Sequence, residues 1–268
     1  MVDVTEPRFE TLDKPFRLRR GNRPTASVGK RRGRHMRFVS QVAASLISPC
    51  LMAEMAQARC ADLALVLAVD ASGSIDEEEF ALQQQGYANA FRNSEVLAAM
   101  SGAGTVDIAV VFWGDSTIPV QILPWQRLDR AAGAEGLAQT IEAAPRQVTG
   151  NTAIGTGLWA ALDLLEDPTR CAYRSLINVS GDGMETLAPR PDSVSLIVAR
   201  ARAKAADVTI NALAISDGDR LAEWFRDKVV TGPDSFVIQI SSHTDFGAAI
   251  AEKIAREIGA PALAAVTP

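Results

Sequence analysis

Between Leu63 and Val69 the chain reads LALVLAV, without one polar side chain, and the next residue is Asp70. A strand with one wet face alternates apolar and polar residues. A run that is apolar throughout must be covered on both faces, so it belongs in the middle of a mainly parallel sheet flanked by helices. The rest of the chain supplies the partners. Strand-like segments recur at Val106–Trp113, Ile118–Trp125, Leu176–Ser180, Val208–Ile215 and Phe236–Ile240. Helical patterns lie between and after them, at Ser74 to Ala98, Asp129 to Ala143, Ala153 to Glu166, Asp192 to Ala205, Asp219 to Val229 and Asp245 to Ile258. Ser74 with Glu77, or Asp76 with Glu79, offers a capping box for the first helix. The short GDST link before Ile118 permits only an antiparallel pair. The order predicts one α/β domain: a doubly wound, mainly parallel six-stranded sheet with one antiparallel edge strand and helices on both faces.

Charge divides the chain. Residues 1–58 hold 11 Lys/Arg against 5 Asp/Glu, a net of +6, whereas residues 59–268 carry a net of −11. An acidic body repels nucleic acid and anionic lipid, so neither is an expected partner. The basic segment has the layout of a secretory signal. Arg31, Arg32, Arg34 and Arg37 precede a mostly apolar stretch, Phe38 to Ala53, and Ala56-Gln57-Ala58 is a small-x-small cleavage pattern. Gln41, Ser45, Ser48 and Pro49 interrupt the stretch, which is too short for a stable membrane span. The expected organisation is a disordered basic extension or misassigned start over 1–35, a signal peptide over 36–58, and one domain over 59–268. The expected location is periplasmic or secreted. Cleavage after Ala58 leaves Cys60 and Cys171, each just before a strand. Two thiols in an oxidising compartment tend to pair, and neighbouring parallel strands bring their starts within reach; two unpaired buried thiols are the alternative.

Three polar loops follow strands or open helices. Asp70, Ser72 and Ser74 alternate through a turn that leaves the first strand, and in a doubly wound sheet the carboxyl edge of the strands is where ligands bind. The TGNTAIG loop presents Thr149 and Thr152, and Asp182 lies between two glycines directly after Ser180. If the loops share that edge, Asp70, Ser72, Ser74, Thr152 and Asp182 form a cluster of hard oxygen donors, suited to Mg²⁺ or Mn²⁺. Two carboxylates only balance a divalent ion, and the hydroxyls add no charge. Such an ion, facing solvent, accepts one more oxygen, preferably an acidic group of a partner protein.

Asp-x-Ser-x-Ser at Asp70–Ser74, the TGNT loop with Thr152, and SGDG with Asp182 resemble the metal-ion-dependent adhesion site of the von Willebrand factor type A domain. The resemblance covers about residues 62–258 and looks closest to bacterial secreted proteins that carry this domain alone. It implies direct ligation of the ion by Ser72, Ser74 and Thr152, with Asp70 and Asp182 acting largely through water and hydrogen bonds. It also implies the strand order 3-2-1-4-5-6, which sets the first strand beside the fourth and favours a Cys60–Cys171 bridge. Asn151 departs from the pattern, where a glycine often stands; it stiffens the loop without removing a ligand. The function implied is a non-enzymatic module that binds a partner protein through its ion. An accessory or assembly subunit using the same site is the alternative.

Catalytic readings fare worse. A phosphoryl-transfer hydrolase with Asp70 as nucleophile wants a second Asp two residues on, where Ser72 stands. A serine hydrolase needs a base, and residues 59–268 hold only His243, read as a helix-start residue, with no Gly-x-Ser-x-Gly. Gly155-Thr156-Gly157 lacks the third glycine of a dinucleotide loop and reads as helix packing. Zinc would need His/Cys clusters that are absent. Trp113, Trp125, Trp159 and Trp224 read as packing residues, with Trp113 bordering the crevice; Asp115 and Ser116 read as its rim, and Met184 and Glu185 as possible ligand contacts.

Overall fold

The computed structural model describes residues 60–186 and 193–260. By internal contacts the chain divides into Met1–Ala53 and Glu54–Pro268, and every described residue belongs to the second unit. The expected extension and signal peptide lie outside the described residues.

Among the described residues the strands are β1 (Leu63–Asp70), β2 (Thr105–Trp113), β3 (Gln121–Asp129), β4 (Ser175–Gly181), β5 (Thr209–Ile215) and β6 (Val237–Ile240). They form one sheet in the order β3-β2-β1-β4-β5-β6. Among these described strands, β2 and β3 alone pair antiparallel. Helices α1 (Glu77–Ala90), α2 (Ser94–Ala103), α3 (Ala134–Glu142), α4 (Ile154–Leu165), α5 (Leu196–Ala205), α6 (Asp219–Lys228) and α7 (Phe246–Gly259) cover its two faces. Alternate residues of β1 feed two cores, as the two-residue period of a strand requires. Leu63, Leu65, Leu67 and Val69 meet Phe80, Tyr87, Phe91, Met100, Phe246 and Ile250, whereas Val66 and Ala68 meet Trp113, Leu158, Leu162 and Phe225. This double burial is what the unbroken apolar run anticipated. Among the described residues no helix is long and apolar enough to cross a membrane.

Several boundaries differ from expectation. The single helix predicted over Ser74 to Ala98 is two. The first ends at the cap Phe91, and Asn93 starts the second by accepting the Glu95 N–H at 2.8 Å. Of the two possible capping boxes, Asp76 with Glu79 forms, with bonds of 2.8 and 2.9 Å. That choice begins the helix at Glu77 and leaves Ser74 free to face the loops. Strand β3 starts at Gln121, not Ile118, because Asp115 folds the preceding segment into a turn by accepting from the Thr117 N–H and hydroxyl. β3 then runs on through Asp129, and α3 begins only after Gly133, whose φ is 92°. Helix α5 starts at Leu196, where Ser195 accepts from the Val198 N–H.

Cys60 and Cys171 form the disulfide, with Cα atoms 4.7 Å apart. Ala61 pairs with Ala172 beside it in parallel register, so the starts of β1 and β4 are joined covalently and by backbone bonds of 2.9 Å. The sequence pattern of α7 conceals a second tie. Lys253 and Glu257, both fully buried, pair at 2.6 Å. Glu257 also accepts from Asn178 Nδ2 at 2.6 Å and Asn211 Nδ2 at 3.1 Å, and Tyr87 Oη lies 3.1 Å from Ser180 Oγ. Burial lowers Lys253 to about 8, against the pull of Glu257. A buried charge pair is tolerable only when its hydrogen bonds are made, and this network makes them across β4, β5, α1 and α7. The tryptophans are packing residues. Trp113 is buried, Trp125 and Trp159 lie under the guanidinium groups of Arg170 and Arg202, and Trp224 lies beside Phe225.

Candidate metal centre

Asp70 closes β1 at the carboxyl edge of the sheet and is completely buried. Its Oδ1 accepts the Ser72 N–H at 2.8 Å, which curls the chain so that residues 72 and 74 point the same way. Ser72 Oγ lies 3.2 Å from Ser74 Oγ. From the loop before α4, Thr152 Oγ1 donates to Ser72 Oγ at 3.4 Å. From the loop after β4, Asp182 Oδ1 accepts from Ser74 Oγ at 2.7 Å. The three loops expected to converge do converge, and the five candidate side chains make one connected cluster. Ser72 and Thr152 form its buried floor, and the cluster opens to solvent on the side of exposed Ser74 and half-buried Asp182. Thr149 gives only its carbonyl to this region, accepting the Asp115 N–H at 3.0 Å.

Asp70 Oδ2 is buried and has no hydrogen-bond partner. Gly181 lets β4 approach it, since a Cβ there would stand 3.0 Å from that oxygen. Burial pushes the Asp70 carboxyl up from 3.8 to about 7; the charge of Asp182 adds to the rise, and hydrogen bonding from Ser72 and from the Asp182 backbone opposes it. An anion so placed, with one oxygen unsatisfied, is costly unless a positive charge compensates it. Among the described residues no three His, Cys, Asp or Glu side chains gather as a metal site. This cluster instead combines two carboxylates with three hydroxyls.

The loops are held by residues to which the sequence pattern assigned little or nothing. Gly150 has φ of 93°, and a Cβ on it would meet Asp115 Cβ at 2.7 Å. Asp115 Oδ2 accepts from Asn151 Nδ2 at 2.9 Å, so the residue that departs from the expected glycine clasps the neighbouring loop. Asp115 is thus a brace of the rim. Glu185 joins α4 to α5 by accepting the Gly155 N–H at 2.9 Å and the Leu196 N–H at 3.4 Å. Burial raises its carboxyl above the ordinary range. Glu185, which the sequence left open as a ligand contact, serves in the structure as a helix-to-helix tie. Gly157 sits against the Trp113 ring, which lies in the core, as helix packing requires. His243 stands in the short turn that leads into α7, its Nδ1 3.1 Å from Glu79 Oε1. Arg146 reaches the backbone of the Asp70 turn from between α3 and the Thr152 loop. No motif pointed to it, because its partners are carbonyl groups that any sequence would supply.

Over residues 59–262 the sequence matches the family described as "Protein of unknown function (DUF1194)". No curated protein matches the chain. Three solved structures illustrate the likeness in fold. Proximal thread matrix protein 1 from the mussel byssus is 17% identical, with 75% of this chain and 48% of that one covered and a TM-score of 0.52. The pilus adhesin SpaC from Lactobacillus rhamnosus GG is 16% identical, with 75% and 31% covered and a TM-score of 0.54. The minor pilin PilB from Streptococcus sanguinis is 12% identical, with 78% and 64% covered and a TM-score of 0.55. The chain thus spans less than two thirds of the length of each, and about half of the mussel protein. The mussel protein is also known with a zinc-occupied MIDAS motif. At such identities the likeness establishes the fold, which is that of the von Willebrand factor type A domain.

Proposed function

We propose, for a chain that belongs to the DUF1194 family and carries the von Willebrand factor type A fold, that it is a non-enzymatic binding module working through one divalent cation. The observation that carries the proposal is the buried, unpartnered Oδ2 of Asp70 beneath a floor of hydroxyls. All five side chains present hard oxygens, and the buried anion lacks a positive partner, so the residues fit Mg²⁺ or Mn²⁺. Ser72, Ser74 and Thr152 would hold the ion through their hydroxyls. Asp70 and Asp182 would supply the balancing charge and orient the serines, as they already do in their hydrogen bonds to Ser72 N–H and Ser74 Oγ. The bound ion would supply a positive centre on which an acidic side chain of a partner protein can dock.

Among the described residues the cluster carries no histidine base, and its hydroxyls bond to one another and to Asp182. His243 is engaged with Glu79, and the position two residues after Asp70 is a serine already bonded within the cluster. A binding role therefore agrees with the groups present better than phosphoryl transfer does. The Cys60–Cys171 bridge and the byssal and pilus settings of the structurally similar proteins support action outside the cytoplasm. The test is retention of partner proteins on immobilised wild-type chain loaded with Mn²⁺. Retention should be lost with a chelator and in Ser72→Ala, and the same proteins retained under all three conditions would refute the reading.

A further inference from the structure

The guanidinium of Arg146 lies between two of the three loops, with its side chain only 11% exposed. Nη2 donates toward the carbonyls of Ala71 at 3.1 Å, Ser72 at 2.9 Å and Ile75 at 2.7 Å. Nε donates to the Val148 carbonyl at 3.2 Å, Nη1 pairs with Glu77 at 3.0 Å, and the Phe80 ring centroid is 5.3 Å away. The turn through Ser72 brings three carbonyls to one spot, where the backbone supplies the Ile75 N–H to the Ser72 carbonyl at 3.2 Å but no donor common to all three. A planar fork of fixed N–H groups meets that need, and a lysine ammonium does not reproduce it. The neighbouring backbone adds one bond across the same seam, Gly73 N–H to Gly150 O at 2.6 Å. Gln121 steadies the seam from β3, donating to the Pro145 carbonyl at 2.9 Å and accepting the Gln147 N–H at 3.2 Å.

We infer that Arg146 is a positioning residue of the cation site. It locks the Asp70–Ser74 turn to the 146–152 loop before any ion arrives, so that Ser72, Ser74 and Thr152 already stand in place. It also occupies the carbonyls of Ala71 and Ser72, which leaves the hydroxyls as the donors open to the ion. Without it, binding would have to order the turn first, and fixing even one residue costs about a factor of ten in affinity. The inference rests on the cation reading above.

The test uses the full chain, wild type and Arg146→Lys, with Mn²⁺ alone as probe. Two quantities are measured: Mn²⁺ affinity, and backbone hydrogen exchange at residues 71–76 and 148–152 in the metal-free protein. The expected result is slow exchange at Ser72 and Gly73 in wild type. Exchange should be about tenfold faster, and Mn²⁺ binding about tenfold weaker, in Arg146→Lys. A core variant on the opposite face of the sheet, Phe225→Leu, should lose stability yet keep the wild-type affinity, which separates positioning from general loosening. Equal Mn²⁺ affinity in wild type and Arg146→Lys would overturn the inference while leaving the cation site standing. Failure of wild type to bind Mn²⁺ would overturn both. Fast exchange at Gly73 in metal-free wild type would overturn the preformed turn without need of any variant.

Discussion

Asp70→Asn should make the metal-free protein more stable at pH 8, although it deletes a charged member of the candidate site. The carboxyl is pushed from 3.8 in the free chain to about 7 in the fold by burial, so the folded state holds its proton more tightly than the unfolded state does. Its contribution is fully favourable below the lower value and is lost as pH rises through the upper one. Across that window the loss is roughly 4 kcal/mol at 1.36 kcal/mol per unit. Asparagine carries no charge to bury, so it escapes the loss. Urea unfolding in chelator should therefore give wild type and variant similar stability near pH 4, with the variant ahead by a few kcal/mol at pH 8. Comparing the two proteins isolates Asp70 from other carboxyls such as Glu185, which burial also raises. Added Mg²⁺ or Mn²⁺ should restore wild type and leave the variant unmoved. A variant no more stable than metal-free wild type at pH 8 would mean that the buried anion is already compensated.

Breaking the Cys60–Cys171 bridge should cost about as much, by a different route. The two residues are 111 apart in sequence, so the cross-link closes a long loop in the unfolded chain. Loops of that size are restrained by about 4 to 5 kcal/mol in the chain-entropy account, and removing native bridges typically costs about 2–5 kcal/mol. Cys60→Ser with Cys171→Ser should lower the melting temperature by about 2–4 °C per kcal/mol lost. The fold itself should persist, since the Ala61–Ala172 pairing extends the β1–β4 association right up to the bridge. Two titratable thiols in the native oxidised protein would contradict the bridge.

The parts of the molecule that were legible in advance are those with a simple physical signature. The apolar run of β1 demanded cover on two faces. The short GDST link demanded an antiparallel partner, and three polar loops would share an edge if the strand order followed the doubly wound pattern. What stayed hidden depends on choices between near-equal local options. Asp76 rather than Ser74 caps α1, and nothing in the spacing decides that. Phe91 to Asn93 break a helix that the pattern would have continued, because Asn93 caps the second helix with its own side chain. Lys253 and Glu257 look like a solvated i, i+4 pair on α7, yet they are buried because Asn178 and Asn211 wait on the facing strands. Arg146 and Glu185 bind backbone groups, which leave no trace in residue identity. The five clustered side chains could thus be read from their chemistry, while the scaffold that aims them could not.

The central claim is that Asp70, Ser72, Ser74, Thr152 and Asp182 hold one divalent ion. Mn²⁺ titration followed by electron paramagnetic resonance tests it most directly, by counting bound ions in wild type and in Ser72→Ala. One Mn²⁺ per wild-type chain, displaced by Mg²⁺ and absent from the variant, is the predicted result. No bound ion in wild type, or one ion in both proteins, would contradict the account.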